Sequence, residues 1–341
     1  MALSTWRVWS AVTVLCIASF AMVTSEFAPI GLLSQISADL AQEPARVGLS
    51  VTLYAWIGAV SGLLANSLSR WIARKPLMIA LMLMLAASLV NLVGQYDGWR
   101  TAFACLALLC VASAGAIALV VPGLGLVAAA PGTGYVAVLR RRDLLITFVI
   151  TGLTAAAHFA AYTFVEPFIS QVPDVTPWMV AALLFAFGAA GFLGNLLSAI
   201  FIDRHLKPFI LLALIAMAGA LLTLGLLGPE LNLLAVAALL MVWGVAISAL
   251  FTGLQTWVLS IAGAHTVPAT ALHTAVLNGA IGLGVIIGGG ALESIGLRGA
   301  MLGASMVILP AIVLLLASGT LRRTTPVFSA ATEADQASPE V

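Results

Sequence analysis

Apolar runs of about 20 residues alternate along the whole chain with short polar breaks. The runs fall at about 8 to 33, 47 to 69, 77 to 94, 101 to 121, 144 to 165, 178 to 200, 209 to 227, 232 to 259, 268 to 292 and 299 to 318. Each is long enough to cross a hydrocarbon core roughly 30 Å thick at about 1.5 Å per residue of helix. A single continuous run can satisfy its backbone in lipid only as a helix. The pattern therefore predicts an all-α, polytopic membrane helix bundle of about ten spans.

The longest internal break divides the runs unequally. It spans 122–143, is rich in Gly and Pro and ends in Arg140, Arg141 and Arg142. We read it as a cytoplasmic linker between an N-terminal half of four spans, 1–121, and a C-terminal half of six, 144–318. The polar segment 319–341, with Pro326, Pro339 and scattered acids, is expected to be a disordered cytoplasmic tail. Gly132, Thr133 and Gly134 hint at a phosphate loop, but no strand precedes them and no Lys-Ser or Lys-Thr follows, so the linker reading prevails. The first run, preceded by Arg7, is too long for a signal-peptide core and is expected to stay as a helix.

Charge then orients the bundle. With the N-terminus inside, the cytoplasmic loops hold Arg7, Arg70, Arg74, Lys75, Arg140, Arg141, Arg142, Arg204, Lys207, Arg322 and Arg323, leaving Arg46, Arg100 and Arg298 outside. The excess of basic residues predicts both termini in the cytoplasm. Composition agrees with the membrane class, since 62% of the 341 residues are apolar and 8% charged, far from the ordinary soluble balance. The basic residues sit in short clusters rather than along one face, so nucleic acid is not an expected partner. Cys16, Cys105 and Cys110 lie inside apolar runs without metal or redox spacing, so they read as small packing residues and no metal or cofactor is expected.

Two halves carry matching marks. SRWIARKPLMIAL from Ser69 and DRHLKPFILLAL from Asp203 both set an early Arg before a Lys-Pro that opens the next helix. Arg70, Arg74 and Lys75 in one copy, and Asp203, Arg204 and Lys207 in the other, are candidate gating-loop residues; two ordinary basic loops would be the plainer explanation. A second pair lifts the match above that: SEFAP from Ser25 near the outer end of the first run, and VEPFI from Val165 at the outer end of the fifth. Repeats of this kind are characteristic of secondary transporters.

The candidate chemistry lies at those same outer ends. Glu26 sits about seven residues inside its span, where a carboxylate is costly unless it faces a watery cavity, and this makes it a candidate proton carrier. The alternative is an interfacial Glu reaching water beside Pro29. His158, Tyr162 and Glu166 follow at i, i+4 and i+8, which places imidazole, phenol and carboxylate along one helix stripe able to relay protons or hydrogen-bond a hydroxylated solute. In the alternative, His158 is bonded to a neighbouring helix and Glu166 lies at the membrane surface. Gly58, Gly62, Gly282, Gly284 and Gly288 recur at helical spacing and read as helix-packing positions. Asn66, Asn195 and Gln255 are expected at interfaces, and His273, Trp56 and Trp243 are weaker cavity candidates. A membrane enzyme would need an HExxH helix or a nucleophile with its base, and the sequence has neither.

Several longer segments are more specific. TSEFAPIGLLSQI from Thr24, VGLSVTLYAW from Val47, GQYDGWRTAF from Gly94, AHFAAYTFVEPFI from Ala157 and LNGAIGLGVIIGG from Leu277 resemble, in order, the bacterial sugar efflux transporters of the major facilitator superfamily. The resemblance implies a multi-pass inner-membrane protein that exports arabinose-like sugars, isopropyl-thiogalactoside-like glycosides or related solutes against proton entry. Small solute, protons and the lipid bilayer are then its partners; exporters of drug-like solutes are the alternative. The same resemblance implies twelve helices, six per half, with the first and fourth among those lining the cavity. Here the chain passes from a third helix ending around Leu89 almost directly into GQYDGWR, which in that family follows the fifth helix. The fourth and most of the fifth are expected to be missing, with a junction near Ser88 to Val93, and such a chain would be a transport-deficient remnant. The family's Asp before the basic cluster is also replaced by Ser69 in the first copy, whereas Asp203 keeps it in the second.

Overall fold

A computed structural model describes residues 5–68, 75, 78–79, 98–121 and 134–318. The expected third span, the junction near Ser88 to Val93, Arg70, Arg74, most of the linker and the tail lie outside the described residues. Every regular element described is helical. Six continuous helical stretches are long and apolar enough to cross a membrane. The chain divides into two compact units, Met1–Pro131 and Gly132–Val341.

The first unit contains α1 (Thr5–Gly31), α2 (Leu33–Asp39), α3 (Pro44–Leu68) and α4 (Trp99–Val120). Helix α1 packs on α4 and α3, and the short α2 packs on α3. Ala21, Ile36, Phe103, Ala107 and Cys110 form the centre of this packing. Pro29 lies within the last turn of α1. It has no N–H to give the carbonyl four residues earlier, at Ser25, and this weakens the helix just where Glu26 sits. The end of α2 is fastened to the start of α4: Trp99 Nε1 donates to Asp39 Oδ2 over 3.2 Å, and Arg100 pairs with the same oxygen.

The second unit contains α5 (Gly134–Leu139), α6 (Arg142–Tyr162), α7 (Val165–Ile169), α8 (Pro177–Leu227), α9 (Leu233–Ala262), α10 (Thr266–Ile295) and α11 (Leu297–Ala317). Thr176 caps α8 by accepting from Met179 N, with Pro177 at the first helical position, and Asn232 caps α9 by accepting from Ala235 N. Helix α6 is the hub, packed by α9, α10 and α11, while α8 packs on α9 and α11. Because lipid tails are as apolar as a Leu side chain, these contacts rest on close van der Waals fit rather than on escape from water. Small residues supply that fit. A side chain on Gly284 would run into the Ala156 carbonyl and one on Gly288 into the Ala160 carbonyl, so α10 lies backbone to backbone on α6. Gly194 stands in the same way against the Val245 carbonyl between α8 and α9.

Two expected breaks are bridged. The spans 178–200 and 209–227 form one helical run of 51 residues, with non-helical backbone only at His205 (φ −137°, ψ 37°) and Pro208 just beyond. At about 1.5 Å per residue this run is more than twice as long as a bilayer core is thick, so the bend at Asp203–Lys207 is where it turns between two spans. Helices α9 and α10 meet through a single 3-10 turn, Gly263–His265, in which Gly263 takes the left-handed φ of 56°. The fifth run has one more break than expected: α6 stops at Tyr162 and Glu166 begins a separate short helix, α7.

Candidate functional site

In the first unit, Glu26 lines a cavity of about 520 Å³. The cavity is built from four elements. Helix α1 brings Ser25, Glu26 and Pro29; the α2–α3 connection and the start of α3 bring Gln42, Arg46, Ser50 and Tyr54; α4 brings Trp99 and Phe103. Ser25, Glu26 and Tyr54 line the same space, and the Ser25 hydroxyl donates to the Met22 carbonyl over 2.7 Å. A carboxylate, a guanidinium and hydroxyls therefore face the same space as two aromatic rings. That set can hydrogen-bond a hydroxylated solute, stack on its apolar face and accept a proton. Sequence reasoning found Glu26 but not Arg46, Tyr54 or Trp99. The signal was an in-span Tyr seven residues after Val47 in the second resemblance-bearing segment and the Trp-Arg pair that opens α4.

The rim of this cavity has a fixed charge pattern. Asp39, beyond the end of α1, is held below the ordinary carboxyl pKa by hydrogen bonds from Arg100 and Trp99, which outweigh a small burial effect. The Arg100 guanidinium also lies 4.4 Å over the Trp99 ring. The Trp99 that lines the cavity is thus oriented through its Nε1 by Asp39.

In the second unit, His158 and Tyr162 of α6 stack at 4.9 Å between ring centroids, and Tyr162 stacks in turn on Phe187 of α8 at 5.1 Å. Trp243 of α9, fully buried, donates from Nε1 to His158 Nδ1 over 3.1 Å. The imidazole is therefore bonded to a neighbouring helix, and its acceptor nitrogen is occupied. Glu166 is 9% exposed and accepts from Ser170 Oγ over 3.3 Å. The turn at Thr163 and Phe164 interrupts the stripe between Tyr162 and Glu166, so His158 and Tyr162 belong together and Glu166 to a separate helix. Neither of the two cavities described is lined by these three residues.

A second cavity, of about 360 Å³, lies wholly within this unit between α6, α9 and α10. It is lined by His273 and Gln255, among others. Gln255, expected at an interface, lines this cavity. Among the gating-loop candidates, Asp203 and Arg204 are exposed beside the His205 bend. The Lys207 ammonium sits 4.9 Å over the Trp257 ring, and partial burial lowers its pKa. Lys75 is half-buried and helical. Arg141 binds Asp143 over 2.7 Å; burial alone would raise the Asp143 pKa, and this pairing, with backbone hydrogen bonds, lowers it. Of the packing candidates, Gly282, Gly284 and Gly288 are buried in α10 and Gly58 is half-buried in α3; Gly62 lies in the same helix.

No family model matches the chain. Several solved structures do. The nucleoside transporter NupG aligns with a TM-score of 0.68 at 14% identity, over 91% of this chain and 99% of that one. The human organic anion transporter TETRAN aligns at 0.65 and 13% identity, over 92% and 100%. A bacterial homolog of the human lysosomal transporter Spinster, inward-facing and occupied, aligns at 0.54 and 15% identity, over 99% and 100%. At such identities the likeness is one of fold. The chain is a polytopic all-α membrane bundle with a major-facilitator-like fold.

Proposed function

We propose that the chain is a secondary transporter of the major facilitator superfamily that moves a small hydroxylated solute out across the bacterial inner membrane against proton entry. The observation that carries this reading is the placement of Glu26 in a cavity of about 520 Å³ beside Arg46, Tyr54 and Trp99. A carboxylate at that depth needs a functional reason to persist. Antiport requires a site that cannot be protonated and loaded together, and a carboxylate that accepts solute hydroxyls when ionised meets that requirement. Glu26 and Glu166 are the protonation candidates, and His158 and Tyr162, which line neither described cavity, are left with the relay role.

The orientation with both termini cytoplasmic follows from the excess of basic residues on one side, and the grouping of loops by side that it assumes is supported by which groups meet. Glu230 and Arg298, both expected outside, pair at 3.2 Å, and Asp39 and Arg100, also expected outside, pair within the other unit. Arg141, expected inside, reaches the Ala262 carbonyl at the end of α9 over 3.5 Å.

The reading includes the absence of the family's fourth and most of its fifth helix. Purified protein in liposomes, loaded with radiolabelled isopropyl thiogalactoside or arabinose and given a proton gradient, tests it. We expect little flux from the 341-residue chain, and gradient-driven efflux once about two helices are reinserted after Leu89. Glu26→Gln or Glu166→Gln in the restored form should suppress efflux more than binding. Strong flux by the short chain would overturn the deletion; unchanged pH-dependent efflux in both variants would remove these acids from coupling.

A further inference from the structure

The short helix α5 is docked against the ends of the second unit's long helices. Gly134 permits this, because a Cβ there would stand 2.8 Å from Cγ of Pro268 at the start of α10. Val138 is fully buried and packs with Leu144 and Phe148 of α6, Val258 of α9 and Ala269 of α10. Arg141, which follows α5, pairs with Asp143 over 2.7 Å and reaches the Ala262 carbonyl at the end of α9. The segment is therefore fixed where α6 begins, α9 ends and α10 begins. In membrane-spanning helices such ends lie at the level of the lipid headgroups.

The other face of α5 is open. Val136, Leu139 and Arg140 share it at i, i+3 and i+4. The helical turn extends to Arg140, whose backbone N–H donates to the Val136 carbonyl over 3.2 Å. Val136 is 56% and Leu139 50% exposed, and Val267, beside Pro268, is 57% exposed. Arg140 and Arg142 are exposed too. Among the described residues neither guanidinium pairs with an acid, since Asp143, the acid of this segment, is engaged by Arg141.

We propose that this face binds an anionic phospholipid, with Arg140 and Arg142 on the headgroup phosphate and Val136, Leu139 and Val267 against the acyl chains. Two guanidiniums without acids complement a phosphate, which each can hold through paired N–H donors. The apolar neighbours decide which source of phosphate fits. A free phosphate ion would leave Val136 and Leu139 in water, whereas a lipid covers them. A zwitterionic headgroup brings its own cation close to the arginines and gains less from them. Charge bias across the membrane requires only that basic loops stay on one side; a surface of this shape also discriminates among lipids on that side. The inference rests on the membrane class of the chain and not on the transport of any solute.

The purified full chain in neutral detergent, titrated with phosphatidylglycerol or with phosphatidylcholine and read by native mass spectrometry for retained lipid, tests it. The parent should hold phosphatidylglycerol at least roughly tenfold more tightly than phosphatidylcholine, and added salt should weaken that preference. Arg140→Gln and Arg142→Gln should each weaken phosphatidylglycerol by roughly fivefold, and together by more than roughly tenfold. All three should melt with the parent, because the side chains they replace are exposed and unpaired. Leu139→Ser should weaken both lipids, and Arg298→Gln, expected on the opposite side, should weaken neither. Inorganic phosphate in large excess should not displace the lipid. Equal retention of the two lipids by the parent, or parent-like retention of phosphatidylglycerol by the double variant, would overturn the proposal. Displacement by inorganic phosphate would overturn it as well, by showing a simple anion site. If the double variant fails to fold, the single variants decide, and parent-like retention in both is the contrary result. Solute flux enters none of these measurements, so the transporter reading is judged apart from them.

Discussion

Helices α1 and α6 occupy matching places in the two halves of the sequence, each carrying an acid near its expected outer end or just beyond it, yet they are surrounded very differently. Over their most apolar stretches, 17% of α1 is buried against 72% of α6. Helix α6 has α9, α10 and α11 on its sides, two of their glycines pressed against its backbone. Among the described residues, α1 has α4, α3 and the short α2. The side chains of Phe20, Val23 and Ile17 are left exposed along it. A helix whose apolar side chains face outward is stable in lipid, but its polar groups are not. Glu26 therefore depends on the cavity beside it, whereas Glu166 is covered by protein.

The largest effect expected from this difference is on packing. Gly288→Ala forces α10 away from the Ala160 carbonyl and should lower unfolding stability by about 1 to 3 kcal/mol, the usual range for overpacking. Gly115→Ala, on α4 where an added methyl meets nothing within 4 Å, should instead be neutral or stabilising by up to about 1 kcal/mol, through the lower backbone entropy of Ala in a helix. Melting of the two variants in the same detergent checks this. Equal destabilisation would erase the contrast between the units.

Trp243→Phe comes next. It removes the donor to His158 Nδ1 and leaves that nitrogen buried, so a loss of about 1 to 3 kcal/mol is expected. His158→Phe made together with it should recover part of that loss, because neither polar partner then remains; a double-variant cycle without coupling would mean that the bond does not hold the cluster together.

The sequence made the helical class and the half-buried acid Glu26 legible, because twenty-residue apolar runs and an in-span carboxylate are strong local signals. It could not reveal what depends on which helices meet. Arg46 and Trp99 lie more than fifty residues apart and look like loop-end residues, yet both line the cavity that Glu26 lines. The distance of Gln255 from its helix end was legible, but its direction toward the cavity between α6, α9 and α10 was not. The stripe from His158 to Glu166 assumed an unbroken helix, and nothing in the local pattern announced the turn at Thr163 and Phe164.

The smallest effect expected is at the rim. Asp39 has a depressed pKa, so its pairing with Arg100 contributes fully above the ordinary carboxyl value of 3.8 and is lost as pH falls through the lowered one. Asp39→Asn should melt slightly below the parent at neutral pH and together with it in strong acid. A gap that persists in acid would assign the difference to something other than the ion pair. The exposed pair Arg298–Glu230 should matter less still.

Proton-linked solute binding at Glu26 is the claim on which the account turns, and equilibrium binding of isopropyl thiogalactoside to the purified chain across about pH 5.5 to 8.5 tests it most directly. If proton and solute compete for the Glu26 carboxylate, affinity rises with pH in the parent, by roughly tenfold for a coupling of about 1.4 kcal/mol. Glu26→Gln should then bind with one affinity throughout. A parent-like pH slope in Glu26→Gln would contradict the account, because proton linkage would then reside elsewhere in the chain.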